Sequence, residues 1–262
     1  MRLIVCSLIL LINIQARAGV PDHLVTIKRG DLPIILAAPH GGRAEVPNVP
    51  ERKAGDVVDQ FKTVRDDNTS ELAEMIAQEL DKRLKARPYL VAARFERKYI
   101  DANRPENSAF ESDKAKTYYR AYHDGLAEFT KEVQKKWKHG LLLDIHGQNG
   151  RPDELVRGTN DKQTVQLLLK RFGPAALNGS HSLFGAFAGA GYKVFPPLDS
   201  DEPEDKRYNG GYTVRTYGSY QGSGIDAIQL EFGSELRQKS RLPQTASAMA
   251  EAIEIFSREY LK

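Results

Sequence analysis

Short apolar runs alternate with longer amphipathic stretches along most of this chain. Leu32–Ala38 contains the run PIILAA between Asp31 and Pro39, and Tyr89–Ala93 and Gly140–Ile145 (GLLLDI) repeat the pattern. Runs of this length, apolar at successive positions, predict strands buried on both faces. A late run, Ile225–Phe232 (IDAIQLEF), predicts another, and Lys98–Ile100 a short extended piece. Between them, Asn68–Arg83 places Leu72, Met75, Ile76 and Leu80 at helical spacing. Ala115–Lys136, Gln163–Phe172 and Thr245–Tyr260 also predict helices, the last through Met249, Ile253 and Phe256. Asn68 or Thr69 is the expected cap of the first of these. Strands alternating with helices predict one α/β domain with a largely buried sheet. Ligands of such sheets sit beyond the carboxyl ends of the strands.

The extreme N-terminus has a different pattern. Met1-Arg2 precedes a mostly apolar run, Leu3–Ile14, and then Ala16-Arg17-Ala18. A basic start, an apolar stretch and small residues two apart form the layout of a secretory signal peptide. The run is too short to span a bilayer comfortably. Residues 1–18 are therefore expected to be removed near Ala18, leaving 19–262 as one domain of an exported protein, periplasmic or secreted. The lone cysteine, Cys6, lies in the removed segment, so the mature chain has neither a disulfide nor a thiolate metal ligand. Loss of Arg2 and Arg17 lowers the net charge from +3 to about +1. That charge, without a basic block, gives no reason to expect a nucleic-acid partner.

Three predicted strands end in related chemistry. PIILAA runs into Pro39-His40-Gly41-Gly42, LLLDI into His146-Gly147, and AIQL into Glu231-Phe232-Gly233. Glycine lets the backbone turn and a ligand approach closely. Two imidazoles at the ends of two strands can begin a zinc site, which takes nitrogen and oxygen ligands and keeps one open position for water; a third protein ligand is then needed. Asp66 is a further candidate ligand, although a carboxylate there is also what a helix N-terminus favours.

In order along the chain, PHGG (Pro39–Gly42), Asp66-x-x-Thr69-x-x-Leu72-Ala73, Arg97-x-x-x-Asp101-x-Asn103-Arg104, Leu143-Asp144-x-His146-Gly147, Tyr208-Asn209-Gly210-Gly211-Tyr212 and Gln229-Leu230-Glu231 resemble the N-formylglutamate amidohydrolase family, a relative of the zinc carboxypeptidases and the aspartoacylase group. The resemblance runs from about residue 32 to 260. It implies a single three-layer α/β/α domain with a mixed central sheet, of the phosphorylase/hydrolase-like kind. It implies one zinc ion on His40, Asp66 and His146, with Asp67 and Glu45 as alternatives for the acid. Glu231 matches the catalytic glutamate, and Arg97 an arginine that stabilises an oxyanion or holds a second carboxylate. Asn103 and Arg104 match the pair that holds a substrate carboxylate, for which a guanidinium fork is suited. Asp101 is expected to support a ligand rather than react.

Tyr208–Tyr217 is expected either to cover the substrate, with Tyr212 or Arg215 as a polar contact, or to form a tight turn between strands. Arg157 lies in a further matching segment without an assigned role, and His123 falls on the outward side of its helix. The expected activity is hydrolysis of an amide in a small-molecule or peptide substrate that carries a free carboxylate. An exported zinc cell-wall amidase and an exported binding protein without catalysis are the alternatives. No G-x-S-x-G elbow is present for a serine hydrolase.

Overall fold

The computed structural model describes residues 23–54, 61–221 and 224–262. The expected signal segment 1–18 and Cys6 lie outside them. Seven strands form one mixed sheet: β1 (Val25–Lys28), β2 (Ile34–Ala38), β3 (Tyr89–Ala93), β4 (Leu141–Gln148), β5 (Glu154–Gly158), β6 (Lys193–Phe195) and β7 (Asp226–Gly233), in the order β1-β3-β2-β4-β7-β5-β6. The central strands β3, β2, β4 and β7 are parallel. Strand β1 pairs antiparallel with β3, and β5 antiparallel with β7.

Side chains alternate between the two sheet faces, and each face is covered by helices. Ile34, Leu36, Leu143, Ile145, Ile228 and Leu230 pack with α1 (Thr69–Leu84) and α8 (Leu242–Tyr260). The same layer includes α4 (Gln166–Phe172), α5 (Ala175–Asn178) and α6 (Leu183–Gly189). Ile35, Ala37, Val91, Leu142 and Ala227 face the other way. They meet α3 (Lys116–Trp137) and α7 (Tyr212–Tyr217), while the short α2 (Glu106–Ala109) follows the 101–105 loop. The result is a three-layer α/β/α domain with a mixed sheet, as the family resemblance implies, and the sheet is largely buried, as the strand–helix alternation predicts.

Several local expectations change. Lys98–Ile100 is not extended: Arg97–Tyr99 is a turn, with Tyr99 N–H donating to the Glu96 carbonyl at 3.0 Å. Neither Asn68 nor Thr69 caps α1 with its side chain. Asn68 has φ 64° at the N-cap and makes no capping bond, and Thr69 Oγ1 donates to the Asp66 carbonyl at 2.8 Å. Gln163–Val165 is a 3₁₀ turn leading into α4. Strand β4 continues through His146 to Gln148, so His146 and Glu231 lie inside paired strands.

Candidate functional site

The strand pattern itself sets the site. On β4, Asp144 and His146 alternate with the buried Leu143 and Ile145. On β7, Gln229 and Glu231 alternate with Ile228 and Leu230. The register pairs Asp144 with Gln229 and His146 with Glu231. Polar side chains on one face of two adjoining strands thus stand together at the carboxyl end of the sheet, as the crevice rule for parallel sheets describes.

His40 stands two residues beyond the end of β2, after Pro39. The chain then makes a long excursion and returns through Asp66, whose N–H donates to the His40 carbonyl at 3.0 Å. Gly41 permits this return: a Cβ there would meet the Ser70 backbone nitrogen at 2.4 Å. Three ligand atoms converge. His40 Nδ1 is 3.1 Å from His146 Nδ1, and Asp66 Oδ2 is 3.4 Å and 3.3 Å from those two nitrogens. A tetrahedral ion with zinc's usual bond lengths sets its ligand atoms about 3.3–3.5 Å apart, so this triangle has the size of three vertices of such a shell. The fourth vertex is left to water or substrate. Asp67 and Glu45 are exposed, and Asp67 Oδ1 is engaged by Arg65 Nε at 2.6 Å.

Both imidazoles are oriented from behind. His40 Nε2 lies 2.7 Å from Asp101 Oδ1, and His146 Nε2 lies 2.9 Å from Asp144 Oδ2. With Nε2–H donating to a carboxylate, Nδ1 is the lone-pair nitrogen, which is the tautomer a metal requires. The residues present therefore fit a divalent ion in both donor set and support. Asp101 is fully buried and compensated: its Oδ2 accepts from Arg97 Nε at 3.1 Å and lies 3.5 Å from Arg52 Nη1. Burial alone would raise its pKa. The charges of His40, Arg97 and Arg52 outweigh burial and hold it below the usual carboxylate range. Asp66 is also held low: burial opposes ionisation, but its close contacts with the His146 and His40 rings outweigh burial in the absence of an ion. For His146, burial favours the neutral ring, but Asp144 and Asp66 push its pKa well above the ordinary value.

Glu231 is the opposite case. Burial pushes its pKa up to about 7, reinforced by Asp66 and only partly offset by His146 and Arg97. Its Oε1 accepts a hydrogen bond from Gln229 Nε2 at 2.9 Å. Gln229 Oε1 accepts from the Gly211 N–H at 2.7 Å, so one amide ties Glu231 to the Tyr208–Tyr212 segment.

These groups line a cleft of about 740 Å³. All nine sequence-derived candidates border it: His40, Asp66, His146, Glu231 and Arg97, together with Asn103, Arg104, Tyr212 and Arg215. Asn103 Oδ1 accepts from the Thr213 N–H at 2.8 Å, and its Nδ2 sits 3.3 Å from His146 Nε2. Because Nε2–H is directed at Asp144, the Asn103 amide hydrogens keep donor capacity toward the cleft. Gly211 makes this contact possible, since a Cβ there would lie 2.1 Å from Asn103 Nδ2. The Tyr208–Tyr217 segment is thus not a turn between strands. It lines the cleft and becomes α7. His123 does not face outward: its ring packs against Tyr119, Tyr212 and Tyr217, and its Nε2 lies 3.0 Å from the Ala102 carbonyl. Arg157 is buried outside the cleft. It donates to Glu204 Oε1 at 3.1 Å and so anchors the strap that carries Tyr208.

Sequence reasoning gave no role to Asp144, Gln229, Arg52 or Arg237. For the first two a signal exists, a polar residue at alternate positions of an otherwise apolar strand. Arg52 lies in irregular chain and has no such signal. Arg237 follows β7 and donates to the carbonyls of Phe232 at 2.9 Å and Gln148 at 3.2 Å.

Residues 111–236 match the model of a known family, the N-formylglutamate amidohydrolases. Over that stretch, just under half of the sequence, the chain is similar to that family. The similarity supports a hydrolase that acts on amide bonds. The segment matched includes His146 and Glu231; His40, Asp66, Arg97, Asn103 and Arg104 precede it. An N-formylglutamate amidohydrolase from Ralstonia eutropha JMP134 superposes with a TM-score of 0.61 at 15% identity, covering 90% of this chain and 98% of that one. A gene product of Agrobacterium tumefaciens superposes with a TM-score of 0.60 at 16% identity, covering 90% and 95%. At these identities the two structures bear on the fold, which they share with this chain. No curated protein matches the sequence.

Proposed function

We propose that this amidohydrolase uses one zinc ion, held by His40, Asp66 and His146, to cleave the amide of a small N-acyl amino acid or peptide that carries a free carboxylate. The observation that supports this most directly is the triangle of ligand atoms, 3.1–3.4 Å on a side, beside the buried carboxyl of Glu231. A bound ion of this kind would supply Lewis acidity toward a water and the scissile carbonyl.

The chain's own residues perform the rest. Glu231 accepts a proton from the attacking water as its oxygen bonds to the carbonyl carbon. It then returns the proton to the amine nitrogen as the C–N bond breaks. A pKa near 7 suits a group that must both accept and donate. Arg97 lies against the cleft with its Nε fixed by Asp101, and it stabilises the negative charge that develops on the carbonyl oxygen. Arg104 grips the substrate carboxylate, the Asn103 amide completes the cradle, Tyr212 closes over the bound substrate, and Arg215 is a polar contact at its outer, solvent-facing end.

The test is amine release from N-formylglutamate before and after chelation and zinc addition. The expected result is loss and then recovery of turnover. Turnover that survives complete metal removal would reject zinc, and release from peptidoglycan alone would reject the small substrate. The pattern of residues 1–18 supports export with cleavage near Ala18. N-terminal sequencing of the protein from its own host should then begin near Gly19, and a retained Met1 would contradict export.

A further inference from the structure

The cleft has more positive charge than one carboxylate needs. Eight cationic side chains border it against three carboxylates, those of Asp66, Asp67 and Glu231. The inner cations are committed. Arg97 is held by Asp101, and Arg237 by backbone carbonyls. Arg65 is engaged with Asp67 at 2.6 Å and Arg207 with Asp205 at 2.7 Å. Arg104 lies 3.9 Å from Asp101 and is placed for the first carboxylate. Lys62, Lys206 and Arg215 differ: all three are exposed, none is ion-paired within 4 Å of a carboxylate among the described residues, and Lys62 acts on Glu231 only at longer range. They come from three separate segments, the chain before Asp66, the strap and α7.

Size points the same way as charge. A cleft of about 740 Å³ lies within the range of about 300–1,000 Å³ that encloses drug-sized ligands, and a single acylated amino acid fills only part of it. One carboxylate at Arg104 and Asn103 leaves three rim cations facing solvent. An extended acidic chain would place its further carboxylates among them.

From this we propose that Lys62, Lys206 and Arg215 form an outer subsite for an acidic oligopeptide, so that the preferred substrate bears several carboxylates in sequence. The proposal rests on the amide-hydrolase reading above and extends it to substrate length. Exposed cations act through screened, long-range attraction, so the subsite works mainly through KM and weakens with salt.

The probes are N-formyl-Glu and N-formyl-(Glu)₄. Amine release should give a kcat/KM ratio, long over short, of roughly tenfold or more at low salt, falling toward one in high salt. The double variant Lys62→Gln/Lys206→Gln should bring that ratio down to about one to three. A wild-type ratio near one, or a ratio unchanged in the variant, would overturn the subsite and leave the amide-hydrolase reading standing. Calorimetric binding of the same two peptides decides the subsite independently of turnover. Tighter binding of the longer peptide, lost in the variant, supports it even if neither peptide is cleaved, an outcome that would sink the catalytic reading instead. Equal binding of both peptides overturns it.

Discussion

Glu231 and Asp101 are both buried carboxyls near the same cleft, yet they are pushed in opposite directions. Asp101 faces His40 and two guanidiniums, so its charge is compensated. Glu231 receives one neutral amide, so burial prevails. This separation of environments assigns support to one acid and proton transfer to the other. Glu231→Gln keeps the shape and can still hydrogen-bond Gln229. It should lower kcat by about 10²–10⁴-fold, with zinc stoichiometry and thermal midpoint preserved. A variant that retains most of its turnover would remove Glu231 from proton transfer. The ligand and support residues were readable in the sequence to different degrees. His40 and His146 stand out because an imidazole at the end of an apolar strand is chemically conspicuous. Asp144 does not, because a carboxylate behind a histidine is recognised only once the pleat shows that both point the same way.

At the scale of elements, the strap between β6 and α7 joins the two walls of the cleft. It is tied to Gln229 through the Gly211 N–H and to Arg157 through Glu204, and the first turn of α7 that follows it is tied to Asn103 through the Thr213 N–H. Gly211→Ala should displace the Asn103 side chain. KM for carboxylate substrates is expected to rise about tenfold, in keeping with the loss of one charge-assisted hydrogen bond, while the thermal midpoint stays nearly constant. An unchanged KM would detach Asn103 from the substrate. The central strands β2, β3, β4 and β7 were legible because burial on both faces leaves an unbroken apolar run. Strand β1 reads VTIK with two exposed residues, β5 carries Arg157, and β6 has three residues, so their places come from sheet pairing rather than from local pattern. The helical ending of the Tyr208–Tyr217 segment was likewise hidden, because its Gly-Gly pair favours a turn.

At the scale of the whole molecule, stability should depend on metal and on pH. Zinc at a hundred times its Kd adds about 2.7 kcal/mol, which for a chain of this size raises the thermal midpoint by roughly 5–10 °C. Because Asp144 and Asp66 hold a proton on His146, zinc must displace it. The shift should therefore shrink as pH falls, and calorimetry in two buffers of different ionisation enthalpy should detect proton release. A second pH effect is independent of the site. Asp226 is buried at the start of β7, and burial pushes its pKa up to about 6. The folded state thus holds the proton more tightly than the unfolded chain, so this group's contribution to stability declines as pH rises from about 4 to about 6. Asp226→Asn can still accept from the Leu168 N–H, a 3.0 Å bond in the native protein. It should match the native protein near pH 4 and exceed it by about 1–3 kcal/mol at pH 7, as urea unfolding would record. A variant less stable at both pH values would count against that balance.

The central claim is that His40, Asp66 and His146 hold one divalent ion beside Glu231. Anomalous diffraction at the zinc edge, from crystals grown with zinc, tests it most directly. The account predicts one strong peak about 2.0–2.2 Å from His40 Nδ1, His146 Nδ1 and an Asp66 carboxylate oxygen. A peak bound through either Nε2, a peak elsewhere on the chain, or no peak within the cleft would contradict it.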